Sequence, residues 1–172
     1  MVSYFSKQVL GMILLAMVST QPAFAFDFSK WDGLLKKYVT EKTINGVTLN
    51  AVDYQKLEKD PNYSSLLTDL EKASLADLKT SKEKLVFWMN AYNVMAVKMV
   101  LDHYPVQSIK DAGSFFQAVW KKKVGKVGGK VRTLNEIEHE ILRKLGDPRI
   151  HVAIVCASVS CPDLRTEAYT VK

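Results

Sequence analysis

A chain of 172 residues has the length of one ordinary domain, and no internal repeat, low-complexity tract or linker divides it. Its net charge of +6 is a mild basic excess, which suits an anionic neighbour without naming one. In an exported chain that neighbour is an envelope component or an acidic polymer; no nucleic acid is expected.

Export is the expectation from the first 25 residues, which read as a signal peptide. Lys7 supplies a thin positive region, Val9 to Val18 an apolar stretch, and Ala23-Phe24-Ala25 an A-x-A cleavage site. An uncleaved membrane anchor is the alternative, but the apolar stretch is short for spanning. Cleavage takes the charge from +6 to +5, Lys7 being the only charge removed. Residues 26–172 then form a periplasmic or secreted domain able to bury about two-thirds of its unfolded surface.

Phe28 to Val39 reads as a helix, with Trp31, Leu34, Leu35 and Tyr38 at helical spacing and Ser29 as its cap. Thr43 to Leu49 alternates around Asn45-Gly46, a hairpin dipeptide. Tyr54 to Lys59 and Tyr63 to Ala73 read as helical segments broken at Asp60-Pro61-Asn62.

The chain is organised around Leu85 to Leu101, whose only polar residues are Asn90, Asn93 and Lys98. Thr80 and Glu83 have the spacing of a capping box, and Pro105 ends the helical stretch. A helix apolar on nearly every side is buried in a core or lies in a membrane. The three polar side chains and the bare minimum of length favour the core.

Beyond it, Val106 to Ile109 reads as a short strand or turn, and Ser114 to Trp120 is ambiguous. Lys121 to Arg132 reads as a hairpin turning at Gly128-Gly129, which suits a type I′ turn. Thr133 and Glu136 form a second capping box ahead of a helix with Leu134, Ile137, Ile141, Leu142 and Leu145 on one stripe, closed by Gly146 and Asp147-Pro148. Arg149 to Cys156 reads as a buried strand, Ala157 to Leu164 as a loop, and Arg165 to Tyr169 as the start of a helix. Helices and strands do not alternate regularly. The expected class is therefore α+β: a single domain with a buried central helix packed on a small, mostly antiparallel sheet. A buried strand so near Lys172 lacks neighbours, so the expectation is that the domain continues past that residue.

Several residues carry chemistry. Asn90 and Asn93 share a helix face with Trp88 and Tyr92 nearby; buried amides either tie the helix to a loop or line a pocket. Cys156 and Cys161 are open to four readings: a disulfide, packed thiols, a nucleophile or metal ligands. A nucleophile needs a base within hydrogen-bond reach, and His151 is about 16 Å from Cys156 along an extended run. That leaves His139 and His103 as the other histidines, with His103 also placed to favour the negative end of the central helix. The zinc register is absent, so no metal and no cofactor is expected. Lys121, Lys122, Lys123, Lys126, Lys130 and Arg132 cluster on the hairpin, either as a solvated face or as an anion-binding edge.

Three segments, FWMNAYNVMAVKMVLDHYPVQSI, WKKKVGKVGGKVRTLNEIEHEILR and DPRIHVAIVCASVSCPDLRTEAY, together with Val52-Asp53-Tyr54, resemble the family that shares domain of unknown function 547. The resemblance covers residues 50–172. Trp88, Asn90, Tyr92, Asn93, His139, His151, Cys156, Cys161 and Pro162 match the family's pattern, whereas Met89, Ser160 and Asp163 depart from it. The resemblance also implies a remote similarity to papain- and transglutaminase-like folds, which place a nucleophile at the start of a buried helix. Here that helix holds no cysteine. It implies, too, that the family's domain extends beyond Lys172.

The leading expectation is a cysteine-dependent hydrolase or acyltransferase using Cys156 or Cys161 with His139 or His151, and a pocket at Trp88, Asn90, Tyr92 and Asn93. The alternative is a non-catalytic envelope binding module that uses the polar pocket and the basic hairpin for an anionic ligand.

Overall fold

Helix α1 (Ser29–Tyr38) begins with Phe28 at its N-cap and no side-chain cap bond. The serine predicted as the cap is instead its first helical residue, and its amide and hydroxyl both donate to the Asp27 carboxylate. The computed structural model describes residues 26–44, 46–104, 120–155 and 162–171. Residues 1–25, read from the sequence as a signal peptide, the Val106–Ile109 and Ser114–Val119 stretches, and both cysteines lie outside the described residues.

After α1 comes a hairpin longer than the sequence suggested, β1 (Val39–Ile44) paired antiparallel with β2 (Val47–Val52). Its tip is exposed, with Ile44 and Val47 about half exposed, while Asn50 of β2 donates from its backbone amide to the Asp163 carboxylate and from Nδ2 to the Leu164 carbonyl. Helices α2 (Tyr54–Lys59) and α3 (Pro61–Lys72) follow. Asp60 separates them: its carboxylate accepts from the Asn62 amide while Pro61 occupies the first turn, where a missing N–H costs nothing. The same carboxylate receives Lys37 at 2.9 Å and the Tyr38 hydroxyl at 2.8 Å, which locks α1 to α3 and, with the Asn62 amide, holds its pKa well below the usual carboxylate range.

The central helix α4 spans Ser81–Leu101, and both halves of the Thr80–Glu83 capping box are made. Fifteen of its residues are buried, from Leu85 to Leu101. His103 closes it by donating from Nδ1 to the Met99 carbonyl at 2.8 Å, one of the carbonyls a helix end leaves without a partner. No described helix is long and apolar enough to cross a membrane. Instead α4 packs against α2, a second hairpin and the helix after it.

That second hairpin is β3 (Lys123–Val127) with β4 (Lys130–Thr133). Gly128 and Gly129 turn it with φ of 59° and 74°, the two positive values a type I′ turn needs. The turn sits on the end of α3, where the Gly128 amide donates to the Leu70 carbonyl at 2.9 Å and the Gly129 amide to that of Glu71 at 2.6 Å. A Cβ at Gly128 would come within 2.6 Å of the Leu75 side chain, so this position needs glycine for space as well as for φ.

The stripe from Leu134 onward forms a helix, but with wide i→i−5 bonding over α5 (Glu136–Leu142), followed by a 3₁₀ turn (Arg143–Leu145) and Gly146 at φ 73°. The Thr133 hydroxyl accepts from the Glu136 amide as expected. The Glu136 carboxylate turns away to Arg132 and Lys130.

Two expectations fail near the C-terminus. The described part of the Arg149 to Cys156 run, Arg149 to Val155, is not a strand: Ile150–Ala153 forms a short helix, α6, and Ile154 after it is extended. Asp147 decides this by accepting the Arg149 amide, after which a turn of helical bonds follows from Asp147 and Pro148. Local capping outweighs the β-branched composition because no described strand lies alongside to complete a ladder. Nor does Arg165 to Tyr169 begin a helix. The Ala168 amide donates to Asp32 and the Tyr169 amide to Asn90, so the groups a helix would use are taken by side chains of α1 and α4. The result is a single α+β domain whose antiparallel pairing is divided between two two-stranded hairpins.

Candidate functional site

Asn90 and Asn93 are the most buried polar residues on α4, at 0% and 2% exposure, so each amide must find partners inside the protein. Each finds them in the backbone of the C-terminal segments. Asn93 donates from Nδ2 to the Ala153 carbonyl at 2.9 Å and accepts the Val155 amide on Oδ1 at 3.0 Å. One turn earlier on the helix, Asn90 donates to the Tyr169 carbonyl at 2.9 Å and accepts the Tyr169 amide at 3.0 Å. Each carboxamide thus replaces a neighbouring strand. The Tyr169 hydroxyl then donates to the Ala153 carbonyl at 3.2 Å, which ties the two held segments to each other. Cys156 directly follows the peptide that Asn93 holds.

Farther round the same helix, Tyr92 is 1% exposed and accepts a hydrogen bond on its hydroxyl from Trp120 Nε1 at 3.2 Å. Burial raises the pKa of Tyr92; the Trp120 bond opposes this, and the nearby Glu138 carboxylate adds to the rise. Tyr92 therefore stays a neutral phenol at any working pH. Glu138 is mostly buried, is fixed by Arg143 at 2.8 Å, and has His139 Nε2 at 4.0 Å. His139 lies on the wide turns of α5, a backbone form that recurs at functional sites, and its side chain is 42% exposed.

Trp88 packs edge-on against Phe87 at 5.3 Å, and the Arg132 guanidinium lies 5.4 Å over its ring. Arg132 is ion-paired with Glu136, where burial raises the carboxyl and the Arg132 bond and charge outweigh it, leaving the group lowered.

The structure therefore joins Asn90 and Asn93 to one framework and sets Tyr92 beside Trp120 and Glu138. Of the described candidate histidines, His139 lies on α5 and His151 is exposed on α6. Of the six hairpin cations, Lys126 pairs with Glu71 at 2.7 Å, Lys130 with Glu136 at 3.3 Å, and Arg132 with Glu136. Sequence reasoning missed the parts played by Tyr169, Glu138 and Arg143; of these Tyr169 left a signal, as a large aromatic in an otherwise polar C-terminal stretch.

The family model described as "Protein of unknown function, DUF547" matches residues 75–172, which begins later than Val52-Asp53-Tyr54 and takes in α4, the second hairpin, α5 and the C-terminal segments. No curated protein and no solved structure matches the chain. The match spans more than half of the sequence and carries the whole amide framework: this chain belongs to the DUF547 family.

Proposed function

We propose that this chain is an exported, thiol-dependent hydrolase or acyltransferase in which Cys156 or Cys161 is the nucleophile and His139 or His151 its proton partner. One observation supports this most: the buried Asn93 amide grips Ala153 and Val155, so the backbone entering Cys156 is held against the centre of the core. Rigid backing of this kind is what a nucleophile requires, since misplacement by about 1 Å can cost on the order of 100-fold in rate. The imidazole takes the thiol proton, and Sγ bonds to the acyl carbon of the substrate. The C–N or C–O bond breaks as the leaving group regains that proton, and water or a second acceptor then displaces the thiol. Glu138, anchored by Arg143, is the group that would orient His139. The binding-module reading draws less support, because Lys126, Lys130 and Arg132 already have carboxylate partners.

Iodoacetamide labelling followed by peptide mass analysis tests the reading. One cysteine should alkylate faster than an ordinary thiol at pH 7, and replacing His139 or His151 should slow it. A Cys156–Cys161 pair that is oxidised throughout in the host would end the thiol reading. Export has its own test, the intact mass of protein made in its native host. The first 25 residues should be missing, and a full-length, membrane-retained product would count against export.

A further inference from the structure

We infer that a groove between α1, the first turns of α4 and the extended 165–171 segment binds an amphipathic anion: an apolar chain or ring that ends in a carboxylate or phosphate. The groove holds about 940 Å³, within the roughly 300–1,000 Å³ usual for small-molecule sites. Its floor is aromatic. Phe26 and Phe28 lie with ring centres 4.6 Å apart, and both meet Phe87 of α4, at 5.4 and 5.8 Å.

The rim is charged, and its two signs are not equivalent. Three of the four acids lining it are occupied with the protein's own backbone: Asp27 takes the Ser29 amide, Asp32 the Ala168 amide, and Glu83 the Lys79 and Thr80 amides; the fourth, Glu167, is exposed beside Arg165. The two arginines keep donors in hand. Arg149 bonds Asp147 through Nε and Nη2 on one edge of its guanidinium, and its side chain is 72% exposed. Arg165 rests over the Tyr169 ring at 4.9 Å, with only a 3.5 Å approach to Glu167, and is 52% exposed. Each guanidinium carries five N–H donors in a fork that matches a carboxylate or phosphate, so each has capacity beyond its present partner. The two come from α6's N-terminal side and from the extended 165–171 segment, and both line the groove with the apolar floor. That arrangement suits a ligand with one greasy part and one anionic end.

Isothermal titration of the full chain with sodium laurate below its micelle concentration tests the inference. The expected result is saturable one-to-one binding. It should weaken by about tenfold or more when Arg149→Ala and Arg165→Ala are combined, since a hydrogen bond to a charged group is worth at least that. Both arginines are exposed, so this variant should keep its fold, which circular dichroism checks. Val86→Asp in the groove wall should abolish binding. Dodecyltrimethylammonium, with the same chain and the opposite charge, should bind far more weakly, and acetate not at all. No saturable laurate binding, unchanged affinity in the double arginine variant, or equal binding of the cationic amphiphile or of acetate would each overturn the inference. Replacing both cysteines with alanine should leave laurate binding intact, so failure of the thiol reading and failure of this one are separately visible.

Discussion

Trp88→Ala is expected to lower stability by about 3–5 kcal/mol, the range for emptying a large aromatic site in a core. Trp88 is 5% exposed near the start of α4, wedged edge-on against Phe87 and covered by Arg132. Removing it does two kinds of damage. It opens a cavity beside the Phe26–Phe28–Phe87 cluster, and it takes away the ring face over which the mostly buried guanidinium lies. Trp88→Phe should cost clearly less, because it keeps an aromatic face and much of the volume. Urea unfolding of the three proteins, fitted with a common slope, measures both changes. A loss under about 1 kcal/mol for the alanine variant would mean that this end of α4 is not held as described.

The second large effect belongs to Asn93→Ala. The substitution strips the only described partner from the Val155 amide and one of two partners from the Ala153 carbonyl, since Tyr169 still donates there. An orphaned buried amide costs about 1–3 kcal/mol, so with the added cavity the expected loss is about 2–3 kcal/mol. Because Asn93 and Tyr169 share the Ala153 carbonyl, the effects of Asn93→Ala and Tyr169→Phe should not add. The double variant should lose more than the sum, by about 0.5 kcal/mol or more. Strict additivity in urea unfolding would show that the two groups do not act on one carbonyl.

How much of this was legible in the sequence differs from element to element, for physical reasons. The central helix was readable because an apolar run bracketed by Thr80, Glu83 and Pro105 states both its ends and its burial locally. Gly128-Gly129 was readable because two positive φ values in succession demand that dipeptide. Asn90 and Asn93 could be placed on one buried face, and both a loop tie and a pocket were open; the backbone partners, at separations of 60 to 79 residues, lie beyond any local pattern. The same limit explains the two misread segments. Ile150 to Ala153 has the composition of a strand but follows an aspartate that starts a helical turn. Arg165 to Tyr169 has helical composition, but Asp32, 136 residues earlier in sequence than Ala168, removes one of the amides.

The seating of the second hairpin on α3 has a kinetic consequence. Two backbone amides of the Gly128-Gly129 turn complete the end of a helix formed more than fifty residues earlier, and Lys126 reaches back to Glu71 beside them. The helix cannot shed its last turn without breaking the hairpin's turn, and the hairpin cannot lift away without uncovering two helix carbonyls. The two are therefore one opening unit. Their amides should trade hydrogen for deuterium together, at the same low rate, while the exposed tip of the first hairpin exchanges on its own and sooner.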